Sequence, residues 1–197
     1  MTQSLHIHGG NSFSSYDAYL DDLKNSPIDY ERLKPRQRWR DWLVAQLSPN
    51  DEYLAPTFPN SANAQYDEWV IYFEKLIPFL RDDAIIIGHS LGAMFLMKYL
   101  HQHELPVTLS KLILIAGQYG TDGNEDVGTF VVTSAMGAER SANEVHLFHS
   151  EDDPVVPYDS LDKILADIPS AIAHRYTDQA HFNGPTFPGL LSVIKQK

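Results

Sequence analysis

The most restrictive feature of the sequence is a run of β-branched residues, AIIIG at 84–88, that passes directly into the pentapeptide GHSLG at 88–92. A short apolar run of this kind is typical of a parallel strand that is covered by helices on both faces. The stretch that follows, 91–103, is rich in residues that favour a helix. A buried strand, a tight turn and a helix in direct succession predict one unit of a parallel α/β sheet.

The rest of the chain repeats this alternation of short apolar runs with longer amphipathic stretches. Predicted strands lie at 4–8, 51–58, 84–88, 111–117, 144–150 and 171–177, and predicted helices at 36–47, 65–80, 91–103, 160–168 and 189–197. About six strands separated by helices indicate a mostly parallel sheet with helices on both faces, the doubly wound α/β class. With 197 residues, the chain fits a single domain, 1–197.

The composition excludes several classes of partner and chemistry. The formal net charge is −11, which disfavours nucleic acid and anionic membranes as partners, since both require clustered cations. The chain has no cysteine, so disulfides and thiol nucleophiles are excluded. The N-terminal residues lack a signal-peptide pattern and no stretch approaches the roughly 20 apolar residues of a membrane span, so a cytoplasmic location is expected. The one basic cluster, RLKPRQRWR at 32–40, is interpreted as the solvated start of a helix.

Two connections are longer than the usual loops of α/β units. Residues 12–35 and 118–142 both leave predicted strands at the carboxyl edge of the sheet, where ligands of such sheets bind. The first contains a predicted short helix with an apolar stripe and an acidic, solvent-facing side. The stripe is Tyr16, Tyr19, Leu20 and Leu23, and the acidic side is Asp17, Asp21 and Asp22. We expect both insertions to act as lids; the alternative for the helix is that it packs on a flank of the core.

Ser90 lies at the centre of the GHSLG turn, with Gly88 and Gly92 two residues to either side. A serine nucleophile of an α/β hydrolase occupies such a strained turn between a strand and a helix, where flanking glycines relieve crowding. An incidental tight turn is the alternative, but the strand before Ser90 and the helix after it supply the context that a nucleophile elbow requires. The N–H of Leu91 would then form one half of an oxyanion hole.

A serine nucleophile needs a base, and the base needs an acid that orients it. In this fold class both follow the serine in the chain, each at the carboxyl end of a strand. The strand at 144–150 runs into Asp152 and Asp153, and the spacing alone does not choose between these carboxylates. Of the two later histidines, His174 opens the last strand and His181 lies in the loop after it, so His181 is the predicted base.

The second oxyanion donor is expected in the loop after the first strand, HIHGGN at 6–11. Glycine lets backbone N–H groups approach a substrate oxygen, so Gly10 is the predicted donor, with Asn11 a close second. The further candidates for substrate contact are His8, Gly9, Asn11 and His89.

Two pairs of alternate histidines invite a metal interpretation, because such residues share a face of a strand. They are His6 with His8 and His101 with His103. Neither pair is accompanied by a carboxylate or a third histidine of fixed spacing, so no metal site is predicted. His89, inside the turn, is expected to pack beside it rather than to react.

Several motifs together resemble the retinoblastoma-binding-protein-9/YdeN family of small α/β hydrolases. They are HIHGG, PTFPNSANAQYDEWVIYFEK (56–75), IIIGHSLGAMFLMKYL (85–100), LILIAG, HSEDDPVVP and the AHFN that contains His181, and they span nearly the whole chain. The resemblance implies a three-layer α/β-hydrolase fold without cofactor or metal, an oxyanion loop at 8–11, and a triad of Ser90, Asp153 and His181. The insertion at 12–35 is longer than the usual family segment and leaves the substrate open.

The sequence therefore predicts a serine hydrolase that acts on a carboxylic ester or related acyl bond of a small-molecule substrate. Two alternatives remain: a catalytically weak protein-binding module on a hydrolase scaffold, and a peptidase or amidase that uses the same triad. The retinoblastoma partner of the family's namesake is bound through a cysteine-containing motif. Because this chain has no cysteine, that partner is not expected, and no protein partner is assigned.

Overall fold

The computed structural model describes residues 1–196, and for Arg32 the backbone alone. Its strands are β1 (Gln3–Ile7), β2 (Glu52–Leu54), β3 (Ile85–His89), β4 (Leu109–Ile115), β5 (Ala142–Ser150) and β6 (Ile172–Tyr176). They form one sheet in the order β2-β1-β3-β4-β5-β6, and every neighbouring pair is parallel. The predicted α/β class is confirmed, with a sheet that is parallel throughout rather than mostly parallel.

Helices connect and cover these strands. They are α1 (Tyr16–Asn25), α2 (Trp39–Gln46), α3 (Tyr66–Leu76), α4 (Leu91–Gln102), α5 (Ala138–Ser141), α6 (Asp159–Asp167) and α7 (Pro188–Lys195). The short α5 was not predicted, because it lies in the weakly periodic stretch 118–142. The helix predicted at 189–197 corresponds to α7, and Lys197 lies outside the described residues. Within residues 1–196, no helix is both long and apolar enough to cross a bilayer.

Prolines set two boundaries that differ from the prediction. The strand predicted at 51–58 is paired only over β2, because Pro56 follows and lacks the N–H group that a sheet ladder needs. The helix predicted at 65–80 ends as an α-helix at the end of α3, and Pro78 lies in the 3₁₀ turn that replaces its last residues.

The strand side chains alternate between two hydrophobic clusters, one on each face of the sheet. In β3, Ile86 enters the cluster formed with α3, α4 and α6, whereas Ile85 and Ile87 enter the cluster formed with α2 and α7. The side chains of β4 divide between the two clusters in the same way. Both faces of the sheet are therefore covered, which explains why these strands are apolar at successive positions.

The strand order places the carboxyl ends of β1 and β3 side by side. The chain moves outward from β1 to β2 and then crosses back to β3, so the connections after β1 and β3 diverge and leave a crevice between them. The first turn of α4 packs directly against the end of β1, because a Cβ atom on Gly92 would overlap the carbonyl oxygen of Ile7. A Cβ on Gly88 would lie 2.7 Å from the carbonyl oxygen of Gly92.

The insertion at 12–35 forms the predicted helix but does not cover the crevice. No residue of α1 is buried, and Tyr16 and Leu23 are 66% and 62% exposed. The apolar stripe packs locally, since the ring of Tyr19 contacts those of Phe13 and Tyr16 rather than the core. None of the described side chains between 12 and 35 lines the crevice around Ser90, and only one side of the helix, Ala18, Tyr19 and Leu20, is half-buried.

The insertion at 118–142 is packed differently. Val127, Phe130 and Val132 are buried and belong to the first hydrophobic cluster. The segment also brings Glu125 to the wall of the crevice. This second connection is therefore held by core packing and contributes directly to the site.

Gly92→Ala is expected to lower the free energy of unfolding by at least about 2 kcal/mol, because the added Cβ forces α4 away from β1. Gly184→Ala is the matched control, since the nearest atom to a Cβ there is 3.8 Å away. Urea unfolding of both variants measures the difference. An equal loss of stability in the two variants would contradict the proposed contact between α4 and β1.

Candidate active site

Ser90 connects β3 to α4 and has a positive φ, with φ 55° and ψ −121°. Side-chain-bearing residues rarely adopt a positive φ, and such strain concentrates at functional sites. The N–H of Ser90 donates to the carbonyl oxygen of Ile115 at 2.8 Å, and the Ser90 carbonyl oxygen accepts from the N–H of Ala93 at 2.9 Å. The turn is thus held from both sides, and the side chain of Ser90 lines the crevice.

His181 lies in the loop after β6, between two residues with positive φ angles, Ala180 and Phe182. The N–H of Ala180 donates to the side chain of Asp152 at 2.9 Å. The ring of Phe182 is 3% exposed and anchors the loop in the second hydrophobic cluster. These contacts bring the imidazole of His181 to Ser90, with Nε2 lying 2.8 Å from the serine Oγ.

The carboxylate of Asp153 extends this series of hydrogen bonds. Its Oδ2 and Oδ1 lie 2.8 and 3.1 Å from Nδ1 of His181. Oδ1 also accepts from the N–H groups of Val155 and Val156 at 2.8 and 3.1 Å, and the carboxylate is 3% exposed. Because an ionised carboxylate can only accept, the proton of the neutral imidazole lies on Nδ1 and the lone pair of Nε2 faces Ser90.

The structure distinguishes the two adjacent carboxylates that the spacing left open. Asp153 faces His181, whereas the side chain of Asp152 accepts from the hydroxyl of Ser150 and from the N–H of Ala180. The hydrogen bond from Ser150 lowers the pKa of Asp152. Asp152 therefore supports the backbone of the loop after β6, residues 177–187 (the histidine loop), and does not contact the imidazole.

Two backbone segments flank the hydroxyl of Ser90. The loop after β1 is in close contact with it, because a Cβ on Gly9 would lie 3.0 Å from the Cβ of Ser90. In that loop the N–H of Asn11 already donates to the carbonyl oxygen of Ser61 at 2.9 Å. On the other side, Leu91 is the first residue of α4 and has no helical acceptor for its N–H. A substrate oxygen bound beside Oγ of Ser90 would therefore lie between the Gly9–Gly10 backbone and the start of α4.

His8 and His89, both candidates for substrate contact, make internal hydrogen bonds. Nε2 of His8 accepts from the N–H of Phe58 at 2.8 Å, so its Nδ1 carries the proton and donates to the carbonyl oxygen of Gly9 at 2.6 Å. Nε2 of His89 donates to the carbonyl oxygen of His181 at 3.0 Å. Burial lowers the pKa of His89 to about 4, so its ring is neutral near pH 7. His8 thus holds the loop after β1 (residues 8–11), and His89 holds the loop after β6 that carries His181.

His101 and His174, also singled out in the sequence, do not line the crevice around Ser90. His174 stacks on Phe148 with ring centroids 4.2 Å apart, and Nδ1 of His101 bonds to the carbonyl oxygen of Met136. Among residues 1–196, no group of three or more His, Asp or Glu side chains is arranged to hold a metal ion.

The crevice around Ser90 has a volume of about 530 Å³. Its walls include His181, the loop at 8–11 and Glu125, and a space of this size accommodates a small-molecule ligand. A second hollow of about 570 Å³ lies at the β2 edge of the sheet and contains none of these residues. Of these two hollows of residues 1–196, the first is the one lined by Ser90 and His181.

Sequence reasoning missed three features of this site. The hydrogen bond from His89 and the support from Asp152 depend on residues that are distant in the chain, and local spacing carries no signal for either. The third feature is a set of arginines at 36, 38 and 40 that lines the crevice. Their alternate spacing was visible in the sequence but was interpreted as a solvated helix start.

Comparison with known proteins gives consistent similarities. The chain matches the family model described as serine hydrolase over residues 31–186. It is similar to the serine hydrolase RBBP9 of Rattus norvegicus, with 29% identity over 163 residues that cover 80% of this chain and 84% of the rat protein. Its structure is similar to that of the ydeN gene product of B. subtilis, with a TM-score of 0.75, 19% identity and coverage of 98% and 97% of the two chains. It is also similar to the methylesterase MES16 from Arabidopsis, with a TM-score of 0.58, 12% identity and coverage of 98% and 97%. The α/β-hydrolase fold and the resemblance inferred from the motifs are both confirmed.

A second buried imidazole, that of His149 in β5, makes the stability of this region sensitive to acid. The side chain is 2% exposed, its Nε2 has no hydrogen-bond partner in the described part of the chain, and burial lowers its pKa to about 4. An unfolded chain protonates this group near pH 6.5, whereas the folded protein resists protonation until about pH 4. Stability that is present above pH 6.5 is therefore lost as the pH falls toward 4.

His149→Phe is expected to flatten the dependence of unfolding free energy on pH between pH 6 and 4.5, by up to about 1.4 kcal/mol per pH unit. The phenyl ring fills the buried space without a proton-binding group. His103→Gln is the matched control, because it removes an exposed histidine. Denaturant titrations at several pH values measure the slopes, and identical slopes in His149→Phe and the parent protein would refute the expectation.

Proposed function

The chain belongs to the serine hydrolase family, and from this membership we propose that it hydrolyses a carboxylic ester, or a related acyl bond, of a small-molecule substrate. The observation that carries the proposal is the hydrogen-bonded series from Asp153 through His181 to Ser90, with 2.8 Å at each link. In the proposal Ser90 is the nucleophile, His181 the general base and acid, and Asp153 the group that orients the imidazole.

In the proposed first step, Oγ of Ser90 attacks the carbonyl carbon while Nε2 of His181 takes the hydroxyl proton. A new C–O bond forms, and the π electrons of the carbonyl move onto its oxygen to give a tetrahedral oxyanion. The N–H groups of Leu91 and Gly10 donate to that oxygen. Gly10 is preferred over Asn11 because the N–H of Asn11 is already bonded to another carbonyl oxygen.

The tetrahedral intermediate then collapses to an acyl-enzyme. The bond from carbon to the leaving oxygen breaks, and Nε2–H of His181 protonates the departing alcohol. A water molecule next attacks the acyl carbon while His181 takes its proton. The second intermediate releases the carboxylic acid and returns the proton to Ser90. Throughout the cycle Asp153 stays ionised and stabilises the imidazolium through its Nδ1–H.

The two alternatives predicted from the sequence differ in whether they need the residues Ser90, His181 and Asp153. A peptidase or amidase would need the same three residues and would differ in the leaving group. A binding module without catalysis would not require the strained φ of Ser90 or the aligned imidazole. The methylesterase of similar fold acts, by its name, on a methyl ester, and the proposal extends that acyl chemistry to this chain.

Labelling with a fluorophosphonate probe tests the proposal directly. We expect the wild-type protein to be labelled and Ser90→Ala to remain unlabelled, because the probe reacts with an activated serine hydroxyl. A panel of aryl esters and aminoacyl arylamides then separates esterase from amidase activity. A folded wild-type protein that is not labelled would overturn the proposal, and so would equal labelling of Ser90→Ala.

The adjacent carboxylates provide a matched pair of variants. Asp153→Asn is expected to lower kcat for an aryl ester by about 10⁴, because the wrong tautomer of His181 is then stabilised. Asp152→Asn removes the neighbouring charge without touching the imidazole, so its loss should be at least about a hundredfold smaller. Steady-state kinetics on both variants measures the contrast. Equal losses would show that Asp153 is not the orienting acid.

His89 is expected to act as a positioning residue for the histidine loop. His89→Phe removes the donor to the carbonyl oxygen of His181 and should lower kcat by about ten- to a hundredfold, because a misplaced base costs rate. His89→Gln keeps an N–H donor near the same point and should recover most of the rate. If the two variants lose kcat equally while remaining folded, the hydrogen bond has no positioning role.

A further inference from the structure

The crevice has a charge opposite to that of the chain. The protein has 26 Asp and Glu residues against 15 Lys and Arg, and a formal net charge of −11. Yet the described residues that line the crevice include three arginines, Arg36, Arg38 and Arg40, and a single carboxylate, Glu125. At physiological ionic strength the Debye length is about 8 Å, so a ligand in the crevice interacts mainly with these nearby charges rather than with the acidic surface elsewhere on the protein.

The segment that carries the arginines is fixed to the histidine loop. Trp39, between Arg38 and Arg40, donates its backbone N–H to the carbonyl oxygen of Gly184 at 3.0 Å. Its indole is 5% exposed and packs against the rings of His6 and Phe187. The two arginines that flank Trp39 are therefore presented to the crevice from an anchored backbone.

These arginines have little internal charge compensation. In the described part of the chain, neither Arg36 nor Arg38 forms an ion pair, and Nε of Arg40 lies 3.9 Å from the carboxylate of Asp41 in an exposed pair. Other cations of the protein are paired more closely: Nζ of Lys111, for example, lies 2.8 Å from Glu144. The guanidinium groups of the crevice remain available to a ligand.

Buried donors next to Arg40 also lack partners. His6 lines the crevice and is 4% exposed, and neither of its ring nitrogens has a hydrogen-bond partner among the described residues. The hydroxyl of Tyr53, whose ring lies 6.1 Å from that of His6, is also buried without a partner in residues 1–196. Burial, together with nearby charges that include Arg40, lowers the pKa of His6, so the ring is neutral and offers an N–H. The neutral ring of His6 therefore supplies a buried N–H donor at this end of the crevice.

We propose that this basic crevice selects esters that carry a second, anionic group such as a carboxylate, which the guanidinium groups of Arg36, Arg38 and Arg40 bind while the ester carbonyl lies at Ser90. This inference rests on the proposed acyl hydrolase function and names its substrate class. Guanidinium groups form charge-assisted, often bidentate hydrogen bonds with carboxylates, so they fix both the charge and the orientation of such a ligand. The volume of about 530 Å³ holds both ends of a small ester of this kind.

Two matched pairs of esters test the proposal. One pair carries the charge on the acyl side of the scissile bond, and the other carries it on the leaving-group side. For the acyl side, 4-nitrophenyl hydrogen adipate is compared with its methyl ester; for the leaving-group side, 4-acetoxybenzoate is compared with its methyl ester. We expect kcat/KM, corrected for the rate with Ser90→Ala, to be higher for the anionic member of at least one pair. The preferred pair shows on which side the arginines bind.

The variant is Arg36→Gln/Arg38→Gln/Arg40→Gln, and its matched control is Lys24→Gln/Lys75→Gln/Lys195→Gln. The control removes three positive charges from exposed positions that do not line the crevice. We expect the ratio of kcat/KM for anionic over neutral ester to fall by about tenfold or more in the arginine variant and to stay at its wild-type value in the control. If the arginine variant does not fold, the wild-type protein supplies the test, because the ratio should fall as salt is raised to about 0.5 M.

Failure of this inference and failure of the proposed function give different results. Equal kcat/KM for charged and neutral esters, or a ratio that neither salt nor the arginine variant changes, overturns the inference and leaves the hydrolase standing. If no ester is cleaved and Ser90 is not labelled, the proposed function fails. In that case calorimetry tests the anion site without catalysis: the dissociation constant of 4-nitrophenyl hydrogen adipate from Ser90→Ala should be lower than that of its methyl ester. Absence of that difference overturns the inference as well.

Discussion

The site depends on the close approach of two backbone segments, the end of β1 and the first turn of α4. At Gly92 an added Cβ would overlap the carbonyl oxygen of Ile7. At Gly9 an added Cβ would lie 3.0 Å from the Cβ of Ser90. This contact packs α4 against the sheet, and in the proposed mechanism it also brings the N–H groups of Gly10 and Leu91 to the serine hydroxyl. Core packing and the proposed oxyanion geometry are therefore a single constraint, and a side chain at either glycine would disturb both.

The remaining groups are held by loops whose strain is offset by specific contacts. Two consecutive N–H groups bind one oxygen of Asp153, which prevents the carboxylate from rotating away from His181. The positive φ angles of Ala180 and Phe182 are unfavourable in isolation, but the phenyl ring of Phe182 is buried and the N–H of Ala180 is bonded to a carboxylate. Strain of this kind persists only where surrounding contacts determine the conformation, as they do here.

The sequence predicted what depends on local pattern, and it left open what depends on contacts between distant segments. The strand, turn and helix around Ser90 follow from β-branched residues, two glycines and helix-forming residues that are adjacent in the chain. Asp152 and Asp153 are also adjacent, so spacing could not choose between them, and only the return of the loop after β6 separates their roles. The helix at 16–25 was predicted from its periodicity, but periodicity does not state what a stripe packs against, and in the structure it packs on its own neighbours.

The basic crevice connects substrate charge with the chemistry at His181. In the proposed reaction the imidazole becomes positively charged during acylation, and forming that charge in a crevice shielded from bulk water has an electrostatic cost. The buried carboxylate of Asp153 offsets part of this cost, because it lies 2.8 Å from Nδ1. His6, His89 and His149 are kept neutral by burial, so they add no further positive charge around the site near pH 7. A substrate anion that the arginines have bound, as proposed, is already in the crevice when the imidazolium forms. In the proposed reaction the negative charge of the substrate therefore favours the first chemical step as well as binding.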